Sequence, residues 1–200
     1  CPTKAIHFGD KEVPGYYEPC VHCGVCYNVC PVSMDGDTKE AMELKLFGGP
    51  GGVVGSFKER YFARSTNFNI IKKSQDFGVV TTILKYILET GIVDCAIVVS
   101  SDEEYHPHAI VARRFTDLQK SMKIKYIWYP VLRDLRAAVA DPTINNIAVV
   151  GVPCVIRAVR AIQESKLGKY RKKIKLTLGL FPALATLSTV PATASFFISP

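Results

Sequence analysis

A run of four cysteines near the start of the chain most constrains what the chain can fold into. The run reads Cys-x2-Cys-x2-Cys-x3-Cys-Pro, and its thiols belong to Cys20, Cys23, Cys26 and Cys30. Thiolates at this spacing are typical ligands of 4Fe-4S clusters, with the fourth pointing away toward a second cluster in two-cluster proteins. A zinc site is the less favoured alternative, because zinc proteins combine Cys-x2-Cys with a distant second pair of ligands.

The chain also begins with a cysteine that suits the same motif. Cys1 is followed by proline and reads as the end of another such run, so this part resembles a bacterial-type two-cluster ferredoxin with an incomplete first repeat. With the usual crossing pattern, Cys1 joins the first three cysteines of the run on one 4Fe-4S cluster. Cys30 then reaches for a cluster whose other ligands lie upstream of residue 1, and we expect the chain to be a fragment.

Composition places the chain among globular proteins. Its 200 residues and 48% hydrophobic content allow one or two domains with a sizeable core. The formal net charge of +7 predicts acidic partners, such as a phosphorylated cofactor or an acidic protein surface. Nucleic acid is disfavoured, because no aromatic-interleaved basic stripe accompanies the charge. A basic run from Lys166 to Lys175 suits either a phosphate site or a solvated helix end.

Cysteine usage indicates a reducing compartment. The seven cysteines are an odd number and five of them lie in ferredoxin positions, which argues against a disulfide framework and favours the cytoplasm. No signal peptide is visible in these residues. No stretch has the length and flanks of a membrane span, since the apolar segment from Leu176 to Leu187 is interrupted by Pro182.

The sequence divides into a small iron-sulfur module and a larger α/β domain. We predict an α+β ferredoxin-like piece over residues 1–33, with short paired strands and short helices, and a glycine-rich linker over residues 34–69. The linker lacks the Gly-Lys-Ser/Thr of a phosphate-binding loop, so we interpret it as a connector. Residues 70–181 alternate between helical and strand patterns, which predicts a mainly parallel sheet covered by helices.

Hydrophobic periodicity predicts the elements of this domain. Helices are expected at 79–90, 130–140 and 155–163, and strands at 94–100, 109–112, 146–151 and 174–181. Gly91 and Pro142 follow the first two helices as stop signals. Ligands of such sheets collect at the carboxyl ends of the strands. The turn that opens the first helix and the turn after Gly151 are therefore the candidate site.

Individual cysteines and histidines in the domain leave alternatives open. Cys154 stands at a predicted helix start, where the helix dipole favours a thiolate. It suits a cluster ligand, a nucleophile or a buried inert thiol. Cys95 lies inside a strand pattern and is predicted to be a core residue. His106 and His108 flank Pro107 in a predicted loop, and we interpret them as solvent-facing because a third metal ligand is missing.

Two short segments carry a family resemblance. The first, Ser74-Gln75-Asp76-Phe77-Gly78, opens the first helix, and the second, Gly151-Val152-Pro153-Cys154, follows a strand. They resemble the Ser-Gln-Asp-Gly-Gly and Gly-Thr-Pro-Cys-Gln segments of the coenzyme F-420 hydrogenase and dehydrogenase beta subunit family, over about residues 70–181. A ferredoxin module ahead of this domain is similar to the arrangement in F-420-dependent sulfite reductase and in some formate dehydrogenase beta subunits.

The resemblance implies an iron-sulfur flavoprotein. It implies FAD near the first segment, hydride exchange with the deazaflavin coenzyme F-420, and a further 4Fe-4S cluster bound by Cys154. Because a deazaflavin carries two electrons and a cluster one, the flavin would divide the hydride into single electrons for a redox partner such as a hydrogenase, formate dehydrogenase or sulfite reductase. By position, the flavin-bordering residues are Ser74, Gln75, Asp76, Gly78 and Thr81.

The sequence departs from the family pattern at several places. Phe77 stands where the family usually has Gly, which predicts an altered backbone approach to the flavin, and Val152 and Val155 replace polar residues. After Phe181 the family continues with cluster-binding cysteines, whereas residues 182–200 contain neither Cys nor charge. We expect this tail to be a reading-frame artefact with no reason to fold, and the fragment to be inactive. A ferredoxin-type electron-transfer module without its own hydride chemistry is the competing interpretation.

Overall fold

The computed structural model describes most of the chain as two compact units. The described residues are 1, 5–8, 14–16, 20–33, 41, 44–45, 48, 57–104, 106–123, 129–165, 167–180 and 196–199. The chain divides into Cys1–Glu59 and Arg60–Pro200, and each unit is described by itself.

The first unit contains a strand pair and a short helix. Strand β1 (Ile6–Phe8) pairs antiparallel with β2 (Pro14–Tyr16), with His7 opposite Gly15. Helix α1 (Val25–Asn28) lies within the cysteine run. These elements match the short paired strands and short helices expected from the sequence. Most of the predicted linker, including residues 34–40 and 49–56, lies outside the described residues.

The second unit is built around a five-stranded sheet in the order β4-β3-β5-β6-β7. The strands are β3 (Cys95–Ser101), β4 (Pro107–Ala112), β5 (Ile147–Gly151), β6 (Ile174–Leu180) and β7 (Phe196–Ser199). The three central strands, β3, β5 and β6, run parallel. Both edge strands pair antiparallel with their neighbours. The predicted α/β fold with a mainly parallel sheet is confirmed, and the antiparallel pairs are confined to its edges.

Helices surround this sheet. They are α2 (Phe68–Lys73), α3 (Val79–Glu89), α4 (Phe115–Leu118), α5 (Leu132–Ala140), α6 (Pro153–Glu164) and α7 (Gly168–Lys173). The two longest, α3 and α6, each carry an apolar stripe at helical spacing, which requires a partner surface. No helix in the described part of the chain combines the length and apolar character needed to cross a membrane.

The core forms where α3 covers one face of the sheet. Leu84 and Ile87 of α3 are buried and pack in one cluster with Ala96, Val98 and Ala148 of the central strands. Successive strand residues point to opposite faces, so the intervening residues face the other side, where α6 packs against β5 and β6. Burial of each large apolar side chain stabilises the fold by about 1.5–3 kcal/mol.

Asp94 fixes the register between β3 and β5 at the start of both strands. Its Oδ2 atom accepts hydrogen bonds from the backbone N–H groups of Asn145 (2.7 Å) and Asn146 (2.8 Å). The Asp94 N–H donates in turn to the Asn146 carbonyl at 2.8 Å. Cys95 then stands opposite Ile147 in the parallel ladder.

The structure differs from the sequence-based division at both ends of the domain. The second unit begins at Arg60, before the expected boundary at residue 70, because Ser65 is buried against the start of α3. At the other end, Phe196–Ser199 adds an edge strand to β6, with Leu178 opposite Ile198. The expectation that residues 182–200 lack structure is therefore wrong for β7. Residues 181–195 lie outside the described part, and a frame-shifted origin of the tail stays a prediction.

Candidate functional site

The two predicted site segments lie at one edge of the sheet. The central strands are parallel, so their carboxyl ends, Ser101, Gly151 and Leu180, share that edge. Helix α6 begins there, directly after β5. A short connection, Thr90–Asp94, joins the end of α3 to the start of β3. Helix α3 therefore runs antiparallel to β3, and its first residues also lie at this edge. In open α/β sheets, this is the edge where ligands bind.

A left-handed turn opens α3. Two successive residues, Phe77 (φ 59°, ψ 15°) and Gly78 (φ 70°, ψ 21°), adopt left-handed conformations. A Cβ atom on Gly78 would lie 2.7 Å from Ile70 Cγ2, so both the conformation and the close packing require glycine. Phe77 holds the same conformation with a bulky side chain, at a cost of about 1–2 kcal/mol. Its ring is 62% exposed.

A small hydrogen-bond network centred on Ser65 holds this turn. Ser65 is 2% exposed, and its backbone N–H donates to the Phe77 carbonyl at 3.0 Å. The hydroxyl groups of Ser65 and Thr82 share a hydrogen bond at 2.8 Å, and Thr82 Oγ1 donates to the Gly78 carbonyl at 2.9 Å. The Asn67 N–H also donates to Ser65 Oγ. The turn is thus fixed at both of its left-handed residues.

The structure brings several residues of the predicted flavin site together. Ser74 Oγ donates to Thr81 Oγ1 at 3.2 Å across the turn, Gly78 is buried, and the Gln75 carbonyl accepts the Gly78 N–H at 3.0 Å. The side chain of Asp76 lies outside the described part of the structure. Sequence reasoning missed Ser65 and Thr82, because neither belongs to a motif and their contact joins distant positions.

Positive groups flank this turn, which itself contains one acidic residue, Asp76. Gly78 is the N-cap of α3 and provides no side-chain cap for the first-turn N–H groups, which carry the positive end of the helix dipole. Helix α2 ends immediately before the turn with the exposed residues Lys72 and Lys73. This combination suits a phosphate group, so the residues present are compatible with a flavin nucleotide.

The second segment places an accessible thiol at the same edge. Gly151 is buried at the end of β5, and a Cβ atom there would lie 2.5 Å from Val155 Cγ1, so strand and helix meet closely. Pro153 occupies the first turn of α6, where its missing N–H carries no cost. Cys154 is a free, exposed thiol. The alternative of a buried, inert Cys154 is therefore wrong.

Cys95, in contrast to Cys154, has a buried thiol. It is 0% exposed within β3, and burial raises the pKa of its thiol from 9.0 to about 11. A buried thiol of this kind stays protonated and acts as a small apolar side chain. The prediction that Cys95 is a core residue is confirmed.

The cysteine run of the first unit presents thiols on a tightly turned backbone. Cys23 and Cys26 are exposed, Cys20 and Cys30 are half-buried, and none of the four is in a disulfide bond. The N–H of His22, a residue in the left-handed conformation, donates to Cys20 Sγ at 3.3 Å. Amide donors of this kind stabilise thiolate ligands. The donor set therefore suits an iron-sulfur cluster, and Cys1 adds another exposed cysteine outside any disulfide bond.

The remaining sequence candidates lie apart from this edge or make other contacts. His106 is exposed and its Nδ1 lies 3.3 Å from Asp102 Oδ2, as expected for a solvent-facing residue. The predicted loop is wrong for His108, which lies in β4 opposite Ser100. The basic residues from Lys169 to Lys175 lead from α7 into the start of β6, at the amino edge of the sheet, while Lys166 lies outside the described part. That position favours the solvated helix end over a phosphate site of the flavin.

Two protein-family models match the second unit of the chain. Residues 60–136 match the family model described as coenzyme F-420 hydrogenase/dehydrogenase, beta subunit N-term, and residues 144–188 match the corresponding C terminus. The chain belongs to this beta subunit family. The match begins where the second unit begins and continues past Phe181, beyond the limit of the resemblance seen in the sequence.

Relatives of the beta subunit family include F-420-dependent enzymes of methanogens. The chain is 32% identical to coenzyme F-420-dependent sulfite reductase of Methanocaldococcus jannaschii, over 90% of this chain and 28% of that protein. It is 34% identical to the coenzyme F-420 hydrogenase subunit beta of Methanothermobacter thermautotrophicus, over 64% of this chain and 47% of that protein. The chain thus spans less than half of either relative.

A solved structure shows the same fold. A chain from the F-420-reducing NiFe hydrogenase complex of Methanosarcina barkeri superposes with a TM-score of 0.54 and 32% identity, covering 57% of this chain and 40% of that chain. The family assignment therefore stands on both sequence and fold.

Proposed function

We propose that this beta subunit family member is part of an iron-sulfur flavoprotein oxidoreductase that passes electrons between coenzyme F-420 and the iron-sulfur clusters of a partner enzyme. The observation that carries the proposal is the left-handed turn at the start of α3, which hydrogen bonds and close packing hold at the carboxyl edge of the sheet. The relatives support the F-420 part of the proposal, since one is named a coenzyme F-420-dependent sulfite reductase and another a coenzyme F-420 hydrogenase subunit.

FAD is the cofactor that we assign to the turn. Ser74 and Thr81 offer hydroxyl groups, Gly78 allows the left-handed turn, and the uncapped start of α3 with Lys72 and Lys73 supplies positive charge for a pyrophosphate. Gln75 and Asp76 complete the set by sequence position. When bound, the flavin would supply the exchange between two-electron hydride chemistry and one-electron transfer.

Iron-sulfur clusters are assigned to the cysteines of the run, to Cys1 and to Cys154. Cys20, Cys23 and Cys26 with Cys1 would bind one 4Fe-4S cluster, and Cys30 would belong to a second. Cys154, exposed at the carboxyl edge, would bind a further cluster at the same edge of the sheet as the flavin turn. The alignment with the sulfite reductase covers 90% of the chain and thus extends from the second unit into the first, which supports a functional link between the two.

The partner is a redox subunit, such as the hydrogenase or sulfite reductase named for the relatives, or the formate dehydrogenase that the sequence resemblance implies. A ferredoxin-type module without its own hydride chemistry is the second candidate, favoured by the cysteine run alone. The two differ in flavin content, because only the first requires FAD.

Anaerobic spectroscopy of the purified full-length protein tests the proposal. Reduced F-420 should bleach the flavin absorbance, and iron and sulfide analysis should give about four irons for each 4Fe-4S cluster. Protein that contains iron and sulfide but no flavin would favour the ferredoxin-type module. Bleaching by NADH and not by reduced F-420 would replace the deazaflavin with a nicotinamide, and zinc in place of iron would end the cluster assignment.

A further inference from the structure

Phe77 combines a strained backbone with an exposed aromatic ring. Its φ of 59° is rare for any residue with a Cβ atom and is an outlier for a bulky one. The ring is 62% exposed, so the strain is not offset by packing of this side chain in the core. Strain of this kind is typical of ligand-contacting positions.

The backbone at Phe77 is held by contacts that do not involve the ring. The Ser65 N–H donates to the Phe77 carbonyl, and Thr82 Oγ1 donates to the carbonyl of the neighbouring Gly78. Gly78 itself is packed against Ile70. The turn therefore keeps its shape whatever the side chain at position 77, and it presents that side chain outward at the start of α3.

We propose that Phe77 is a ligand-contacting residue whose ring stacks on a planar ring of the bound flavin nucleotide. The inference rests on the proposed function, because it requires a flavin nucleotide at this turn. Offset stacking between aromatic rings adds to the binding free energy beyond simple area burial, so loss of the ring should weaken flavin binding by about tenfold. Both the isoalloxazine and the adenine of FAD have the required planar shape.

Flavin titration of the full-length protein, stripped of flavin, tests this inference. Phe77→Asn removes the ring and tolerates the left-handed backbone, so its thermal midpoint should equal or exceed that of the wild type while FAD binding weakens by about tenfold. Phe77→Tyr keeps the ring and should bind FAD like the wild type. Tyr86→Asn is the matched control, since Tyr86 is an equally exposed aromatic residue at 61% in the last turns of α3, and FAD affinity should not change.

Riboflavin identifies which ring is contacted. If Phe77→Asn weakens riboflavin and FAD alike, the ring stacks on the isoalloxazine, and if it weakens FAD alone, the ring stacks on the adenine. FAD binding by Phe77→Asn as tight as that of the wild type would overturn the inference and leave the proposed function intact. A wild-type protein that binds no flavin would overturn the proposed function itself, and the inference with it.

Discussion

Ser65 and Thr82 lie 17 positions apart in sequence, and their hydroxyl groups share a hydrogen bond at 2.8 Å. The contact ties the extended segment before α2 to the first turn of α3. Ser65 Oγ also accepts a hydrogen bond from the Asn67 N–H, and the Ser65 N–H donates to the Phe77 carbonyl. One buried residue therefore connects the start of α2, the left-handed turn and the first turn of α3.

Replacing Ser65 with Ala should destabilise the second unit. The substitution leaves the Thr82 hydroxyl and the Asn67 N–H without this partner, which should lower the free energy of unfolding by about 1–3 kcal/mol. Chemical denaturation measures the change. Ser101→Ala is the control, because Ser101 makes no side-chain hydrogen bond within the described residues, and it should alter stability by less than about 0.5 kcal/mol. Equal effects of the two substitutions would contradict the role of the network.

Gly78→Ala should cost more stability than Gly91→Ala. Both glycines have a φ of +70°, so both substitutions carry the left-handed strain of about 1–2 kcal/mol. The added Cβ meets nothing within 4 Å at Gly91, whereas at Gly78 it would lie 2.7 Å from Ile70 Cγ2. The midpoint of thermal unfolding should therefore fall further for Gly78→Ala. Similar midpoints for the two variants would show that Ile70 does not confine the turn.

Cys154 and Cys95 should differ sharply in thiol reactivity. In reduced, metal-free protein near pH 8, iodoacetamide should alkylate the exposed Cys154 readily and leave Cys95 unmodified, because Cys95 is 0% exposed and its pKa is raised to about 11. Mass spectrometry of tryptic peptides reports each site. Both thiols should react in urea, which controls for peptide recovery. Labelling of both sites at one rate in the folded protein would contradict the buried position of Cys95.

The Asp141 carboxylate should contribute stability that is lost in acid. The hydroxyl and N–H groups of Thr143, together with Arg113, lower the pKa of Asp141 from 3.8. Because the pKa is lower in the folded state, the stabilisation from the ionised Asp141 is fully present when the pH lies above the unfolded-state pKa. It disappears as the pH falls through the lower folded-state pKa. The difference in unfolding free energy between wild type and Asp141→Asn should therefore be largest near neutral pH and shrink below about pH 4.

Urea denaturation at several pH values measures this difference. Glu103→Gln is the control, since Glu103 is an exposed carboxylate without a hydrogen-bond or ion-pair partner in the described part of the chain, and the variant should match the wild type throughout. A difference in unfolding free energy between wild type and Asp141→Asn that stays constant down to about pH 2 would contradict the lowered pKa of Asp141.

Local patterns predicted the regular elements of the second unit well. The helix expected at 79–90 is α3 (Val79–Glu89), and the strand expected at 146–151 is β5 (Ile147–Gly151). These segments carry their signal in the sequence itself, since an apolar stripe or a buried apolar run is visible without knowledge of the partner surface. The mainly parallel sheet followed from the alternation of helix and strand.

Features that depend on distant contacts were not predictable in the same way. Nothing near Ser65 indicates burial, because its environment is created by Thr82 and Phe77 after the chain has folded. Phe77 was expected to alter the backbone approach to the flavin, which stays a prediction, and its left-handed conformation was visible only in the structure. The edge strand β7 was missed because an uncharged segment gives no periodic signal for pairing with β6.

The position of β3 between β4 and β5 also bears on how the chain assembles. The antiparallel β3–β4 hairpin closes through a short loop and can form as soon as its residues leave the ribosome. The parallel pairing with β5, and the Asp94 contacts with Asn145 and Asn146, must await some fifty residues of synthesis after Asp94. Once β4 occupies one side of β3, an incoming strand finds a single free edge, and this is the edge that β5 takes in the observed strand order.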